Sequence, residues 1–133
     1  MQGLDTSVWV RLLLKDDAHR ARTAKAEIDR ARKMAEPLLA SLLRVLESEW
    51  VLQLQAGLAK AEVMGAFKLL LEARELQFDD KGSLERALLA YEEDKADFAE
   101  CLLMTHYSGP GCSTMLTFDA AKGKLPGCSR LTA

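Results

Sequence analysis

Disulfide and zinc chemistry find almost nothing to work with in this chain. Its three cysteines, Cys101, Cys112 and Cys128, form no C-x-x-C pair, and only His19 and His106 stand beside them as further soft ligands. Neither a disulfide framework nor a structural zinc site is indicated, and reduced, mostly buried thiols are expected. No apolar run approaches the roughly 18 residues of a membrane span, and the first residues lack the basic, apolar and small-residue order of a secretory signal. The expected location is therefore the cytoplasm. Internal repeats and low-complexity tracts are missing too, which sets aside solenoids and disordered tails. What is present is 133 residues at 49% hydrophobic composition, enough to bury the core of one compact domain over residues 1–133 and too little for two.

A strong net charge is also absent, at −2 overall, yet the charge is unevenly placed. Residues 19–33 carry Arg20, Arg22, Lys25, Arg30, Arg32 and Lys33 against Glu27 and Asp29, whereas residues 72–100 hold ten acids, Asp94 among them, against Arg74, Lys81, Arg86 and Lys95. A basic helix beside an acidic remainder suits a phosphate-bearing partner, although charge runs are more often solvated faces.

Periodicity organises the rest. Ala21, Ala24, Ile28, Ala31 and Ala35 repeat at the 3–4 spacing of one helix face, so a helix is expected from Asp17 to Ala35, ending before Glu36-Pro37. Pro37 to Ser41 reads as a short buried strand, Leu42 to Gln55 as a helix stopped by Gly57, residues 59–73 as another helix and Leu76 to Phe78 as a short strand. Ser83 to Glu93 and Asp97 to Tyr107 read as helices, Thr114 to Phe118 as a strand, and a last strand falls near Ser129 to Leu131. Strands alternating with helices define an α/β fold with a central parallel sheet of four to five short strands flanked by helices.

Within that scheme several acids fall at informative places. At about 100° per residue, Leu43, Leu46, Trp50, Val51 and Leu54 gather into one stripe that includes Glu47, whereas Glu49 falls about 160° from Glu47, beside Leu42 and Val45. Glu47 is thus expected to aim at the core. The Asp97–Tyr107 helix, apolar nearly all round, is expected to be buried, with Asp97 and Glu100 sharing one face of its first turn. Asp5 and Asp119 each follow an apolar strand-like run. C-terminal strand ends line the crevice of open parallel sheets, so the two would be neighbours if their strands were adjacent. For Asp5 the alternative is a helix cap, since Asp5 and Ser7 both suit orphan N–H groups. Carboxylates collected in one cleft repel, by roughly 4 kcal/mol for two unit charges 4 Å apart at an effective dielectric of 20. Something cationic must hold them, and oxygen ligation without thiolate or imidazole suits Mg²⁺ or Mn²⁺, ions that activate water for attack on a phosphodiester.

The chain resembles the PIN-domain ribonucleases, specifically the VapC-like toxins of bacterial toxin–antitoxin pairs. Gly3-Leu4-Asp5-Thr6-Ser7-Val8-Trp9 is similar to their opening strand, Asp-Thr-Asn and helix, and Leu46-Glu47-Ser48-Glu49-Trp50-Val51-Leu52 to their Leu-Glu-Leu-Glu-Trp-Val-Leu helix. Asp97-Phe98-Ala99-Glu100-Cys101-Leu102 is similar to Asp-Phe-Ala-Asp-Ala-Leu, and Leu116-Thr117-Phe118-Asp119 to Val-Thr-Phe-Asp. The resemblance implies a Mg²⁺- or Mn²⁺-dependent endoribonuclease, usually dimeric and silenced by a small cognate antitoxin. By position it assigns catalysis and metal binding to Asp5, Glu47, Glu100 and Asp119, with Asp97 a further candidate ligand and Thr6, Ser7 and Thr117 as orienting groups. Arg20, Arg22, Arg30, Lys33, Lys122 and Lys124 are the candidate RNA contacts. Two positions depart from the pattern: Ser7 stands where Asn is commoner, and Glu100, longer by one methylene, where Asp is usual. The second departure keeps an alternative open, a weakened or silent PIN-like module that binds RNA or an antitoxin without cleaving.

Overall fold

Five short strands and six helices alternate along the chain in the computed structural model, which describes residues 1–14, 16–93 and 96–132. Asp94 and Lys95, counted above in the acidic segment, lie outside the described residues. The chain divides into two compact units, Met1–Lys81 and Gly82–Ala133. The mixed α/β class is as expected. Its largest sheet, however, has three strands, fewer than the four to five foreseen, because the other two strands pair with each other in a sheet of their own.

In the first unit the strands are β1 (Gln2–Gly3), β2 (Leu38–Ala40) and β3 (Leu76–Phe78), all parallel, with Gln2 opposite Leu38 and Leu38 opposite Leu76. Parallel neighbours need crossovers, and helices supply them: α1 (Thr6–Leu14) and α2 (Ala18–Met34) between β1 and β2, then α3 (Leu42–Trp50) and α4 (Lys60–Glu72) between β2 and β3. Helix α2 begins where Asp17 accepts the Arg20 N–H at 3.0 Å and ends where Ala35 turns left-handed at φ 53°, so that the Ala35 and Glu36 amides bond back to Arg32 and Ala31. Those ends match the sequence expectation to within a residue. In α4, Glu62 reaches back to the Ala59 N–H at 3.1 Å. Trp9, Ala40, Val45, Leu52, Val63 and Phe67 are all fully enclosed in this unit's core.

Helix α3 contradicts the expected phase. Its buried residues are Leu42, Val45, Ser48 and Glu49, whereas Leu43 is 76% exposed, Trp50 68% and Leu54 67%. Both faces of this segment are rich in large apolar side chains, and the stripe with more of them is the outer one. Glu49 is the buried glutamate; Glu47 is exposed. After Trp50 the helix widens into a π-helical stretch, Val51–Gln55, and Gly57 at φ 69° ends it.

The second unit contains α5 (Lys81–Glu93, whose first residue closes the first unit), α6 (Phe98–Ser108), and the parallel pair β4 (Met115–Thr117) and β5 (Cys128–Arg130). Leu84, Ala87, Leu88, Tyr91, Phe98, Cys101 and Leu102 are buried, and the Tyr91 and Phe98 rings meet edge to face at 5.6 Å. Helix α6 is not buried all round: Phe98, Cys101 and Leu102 face inward, but Leu103 and Tyr107 are each 43% exposed. Of the three free thiols only Cys101 is buried, Cys112 being exposed and Cys128 half-buried. Among the described residues no helix is long and apolar enough to cross a membrane.

The corrected phase of α3 has a direct test in urea denaturation. Leu52→Ala should lose about 2–5 kcal/mol of stability, whereas Leu43→Ala should stay within about 0.5 kcal/mol of the parent; the opposite ranking would restore the phase read from the sequence.

Candidate functional site

The parallel strands of the first unit bring their C-terminal ends to one edge, and the side chains that follow them gather there. Asp5 comes two residues after β1, Ser41 directly after β2 and Asp79 directly after β3. Asp79 accepts the Leu42 N–H at 2.8 Å and lies 3.4 Å from the Ser41 hydroxyl, so it closes the first turn of α3 beside Ser41, which itself accepts the Leu43 N–H at 3.3 Å. In the first turn of α3 stands Arg44. Its guanidinium bridges two predicted site acids, Nη2 lying 3.2 Å from Asp5 Oδ1 and Nη1 donating to Glu47 Oε2 at 2.6 Å. All three side chains are about half exposed, at 47% for Arg44, 51% for Asp5 and 50% for Glu47.

Asp5 is held from both sides. Its Oδ2 accepts the Ser7 hydroxyl at 2.8 Å and the Ser7 N–H at 3.3 Å, and Oδ1 faces Arg44. The Ser7 bonds foremost, with Arg44 adding to them, hold the Asp5 carboxyl below its ordinary pKa. Glu47 and Asp5 together raise the Arg44 pKa, the hydrogen bond to Glu47 contributing most. Ser7, standing where Asn is commoner in the related motif, thus donates two hydrogen bonds to the aspartate. Thr6 acts differently: it is buried, and its hydroxyl donates to the Arg44 carbonyl at 3.3 Å, tying α1 to α3. Cap and functional acid are compatible readings of Asp5, since the same Ser7 bonds serve both.

The second unit repeats the pattern with different parts. Asp119 follows β4 and accepts the Lys122 N–H on Oδ1 at 2.8 Å, while its own backbone N–H donates to Thr117 Oγ1 at 3.1 Å, a bond that holds the backbone of Asp119 and does not touch its carboxylate. The Lys122 N–H foremost lowers the Asp119 pKa. The Lys122 ammonium turns to Glu100, 3.0 Å from Oε1, and that bond raises the lysine pKa. Glu100, Asp119 and Lys122, with Ala96, Ala121 and Leu125, line a cavity of about 310 Å³. Asp97 accepts the Glu100 N–H at 2.8 Å as the N-cap of α6, which accounts for its place in the sequence without a ligand role.

The structure therefore joins Asp5 to Glu47 through Arg44, and Glu100 to Asp119 through Lys122. Among the described residues no group of three or more His, Cys, Asp or Glu side chains surrounds one point. The donor chemistry nevertheless fits a hard divalent cation: oxygen-only, solvent-accessible, and including two aspartates biased towards the charged form. Mg²⁺ commonly takes one or two carboxylates and keeps several waters. Sequence reasoning missed Arg44 and Asp79. Arg44 was legible as the i−3 neighbour of Glu47, the spacing at which helical ion pairs form.

The candidate RNA contacts divide. Arg20 pairs with Asp17, Arg30 with Glu27 and with Gln2 Oε1, and Lys122 with Glu100, whereas Arg22, Lys33 and Lys124 are exposed. A larger hollow, about 870 Å³, lies at the other ends of β2 and β3, where Arg32 pairs with Glu75 beside Pro37 and Leu69. It holds none of the predicted site residues.

A model of the PIN domain matches residues 4–122, most of the chain and a stretch that runs through both units. The chain belongs to the PIN-domain family, a nuclease-type fold whose members are generally metal-dependent. No curated protein and no solved structure matches it.

The Ser7 bonds give a signed pH dependence. A carboxyl whose folded pKa is lowered stabilises the fold above its unfolded pKa and loses that contribution as pH falls through the folded value. Ser7→Ala should move the Asp5 pKa up towards its ordinary value in a carboxyl-carbon NMR titration. The variant should be less stable than the parent by a constant margin above about pH 6, and the two should converge in acid; an unmoved Asp5 titration would remove Ser7 from its orienting role.

Proposed function

We propose that this protein is a Mg²⁺- or Mn²⁺-dependent endoribonuclease of the VapC-like toxin type, with Asp5, Glu47, Glu100 and Asp119 as the metal-holding acids, neutralised by a small cognate antitoxin and acting as a homodimer. The observation that carries this reading is the PIN-domain match over residues 4–122 together with Asp5 and Asp119, each placed just beyond a strand and each held in its charged form by hydrogen bonds. Held by such acids, a divalent ion would supply Lewis acidity and a water of lowered pKa for in-line attack on a phosphodiester. The chain's own residues do the rest. Ser7 keeps the Asp5 carboxylate aimed, and Thr117 and the Lys122 N–H fix Asp119 beyond β4 through its backbone and its Oδ1. The exposed Arg22, Lys33 and Lys124 offer charge to the RNA backbone. The outward stripe of Leu43, Trp50 and Leu54 is an exposed apolar patch of the kind that partner proteins cover, which supports the antitoxin and dimer parts of the reading.

A second reading, a PIN-like module that binds RNA or an antitoxin without cutting, is favoured by two observations: Glu100, the longer acid, is engaged by Lys122, and no three-ligand group stands together among the described residues.

Purified protein incubated with total RNA, with and without Mg²⁺, separates the two. The nuclease reading expects Mg²⁺-dependent cuts that map to defined ends, and a loss of roughly 100-fold or more on Asp5→Asn or Asp119→Asn, the scale on which removing one group of a preorganised site acts. Metal-independent degradation, or cutting that survives both substitutions, would overturn it. Binding without cleavage, unrescued by Glu100→Asp, would establish the silent module.

A further inference from the structure

Arg44 occupies the place of a cation between two acids, and the way it is held distinguishes its backbone from its side chain. The backbone is fixed: the Arg44 carbonyl accepts the Thr6 hydroxyl and the Arg44 N–H bonds to the Ser41 carbonyl at 3.0 Å. The guanidinium is half exposed and pairs with carboxylates that are themselves half exposed, the setting in which ion pairs are worth least and exchange most readily. Asp5 does not depend on it for orientation, because Ser7 holds Oδ2 while Arg44 faces Oδ1. Release of the guanidinium would leave Asp5 aimed and charged, with one oxygen open.

We propose that Arg44 is an internal stand-in for the metal and, once displaced, a phosphate ligand: it neutralises Asp5 and Glu47 in the metal-free protein, gives up Asp5 Oδ1 and Glu47 Oε2 when a divalent cation binds, and then presents its planar donors to the RNA backbone. This rests on the nuclease reading above. The divalent ion carries one more positive charge than the guanidinium it displaces and so neutralises both carboxylates, and guanidinium is well matched to phosphate oxygens through paired N–H donors. Arg44 is then a residue whose contribution to RNA binding depends on metal, a coupling between two ligands of one protein.

The test measures binding, not turnover. Mn²⁺ affinity is read by calorimetry for the parent, Arg44→Gln, Arg44→Lys and Asp5→Asn, and affinity for a non-cleavable 2′-O-methyl oligoribonucleotide is read for parent and Arg44→Gln in Mn²⁺ and in EDTA over a salt series. Arg44→Gln should bind Mn²⁺ roughly tenfold more tightly than the parent, because no like charge has to leave. In Mn²⁺ it should bind RNA more weakly, with a salt slope lower by about 0.7–0.9, the value for one phosphate contact, while in EDTA parent and variant should bind alike. Arg44→Lys should lie between them in both measurements. If the parent binds Mn²⁺ and Asp5→Asn does not, yet Arg44→Gln binds Mn²⁺ no more tightly than the parent, or loses RNA affinity equally with and without metal, the stand-in role is wrong and the metal site stands. A parent that binds no Mn²⁺ overturns both.

Discussion

Repulsion between neighbouring carboxylates is the constraint that each unit of the chain has to answer beside its candidate site acids. Each unit meets it from its own sequence. In the first, Arg44 spans Asp5 and Glu47; in the second, the Lys122 ammonium pairs with Glu100 while the Lys122 amide serves Asp119. The cation that the sequence argument required is therefore present in the protein itself, as a side chain in reach of the acids. On the proposal above, a divalent ion binding beside Asp5 and Glu47 would exchange with a resident charge and would not relieve bare repulsion.

The same economy appears in the helix ends that border the first of these clusters. Asp79 and Ser41 satisfy the opening amides of α3, so the helix that carries Arg44 and Glu47 starts from a fixed point on the strand edge. The Thr6 hydroxyl then binds α1 to the Arg44 backbone. Small polar side chains thus set the position of the charged ones, and the charged ones remain near solvent where ligands can compete for them.

Most element boundaries were readable because they rest on local chemistry. Asp17 as N-cap, the turn after Met34, the short Leu38–Ala40 strand and the stop at Gly57 all follow from residues within a few positions of the event. The placement of Asp5 and Asp119 beyond strands was readable for the same reason. The orientation of α3 was not, because it is a tertiary choice: Leu42, Val45 and Leu52 face inward with Ser48 and Glu49, while the more apolar stripe of Leu43, Trp50 and Leu54 faces out. Hydrophobic content alone selects the wrong side when both sides are apolar. It also promoted Glu47 for the wrong reason, as a buried acid, when the structure places it exposed beside Arg44. The bridging role of Arg44 depends on Asp5, far away in sequence, and no local pattern announces such a contact, although the pairing with Glu47 one turn on was visible.

The central claim is that a metal takes the oxygens that Arg44 now holds. Anomalous diffraction from crystals grown with Mn²⁺ reads this directly. An anomalous peak is expected within coordination distance of Asp5 Oδ1, with Asp5 Oδ2 still on Ser7 and the Arg44 guanidinium turned away from both acids. Ordered crystals at saturating Mn²⁺ that show no such peak, with Arg44 still bridging Asp5 and Glu47, would contradict it.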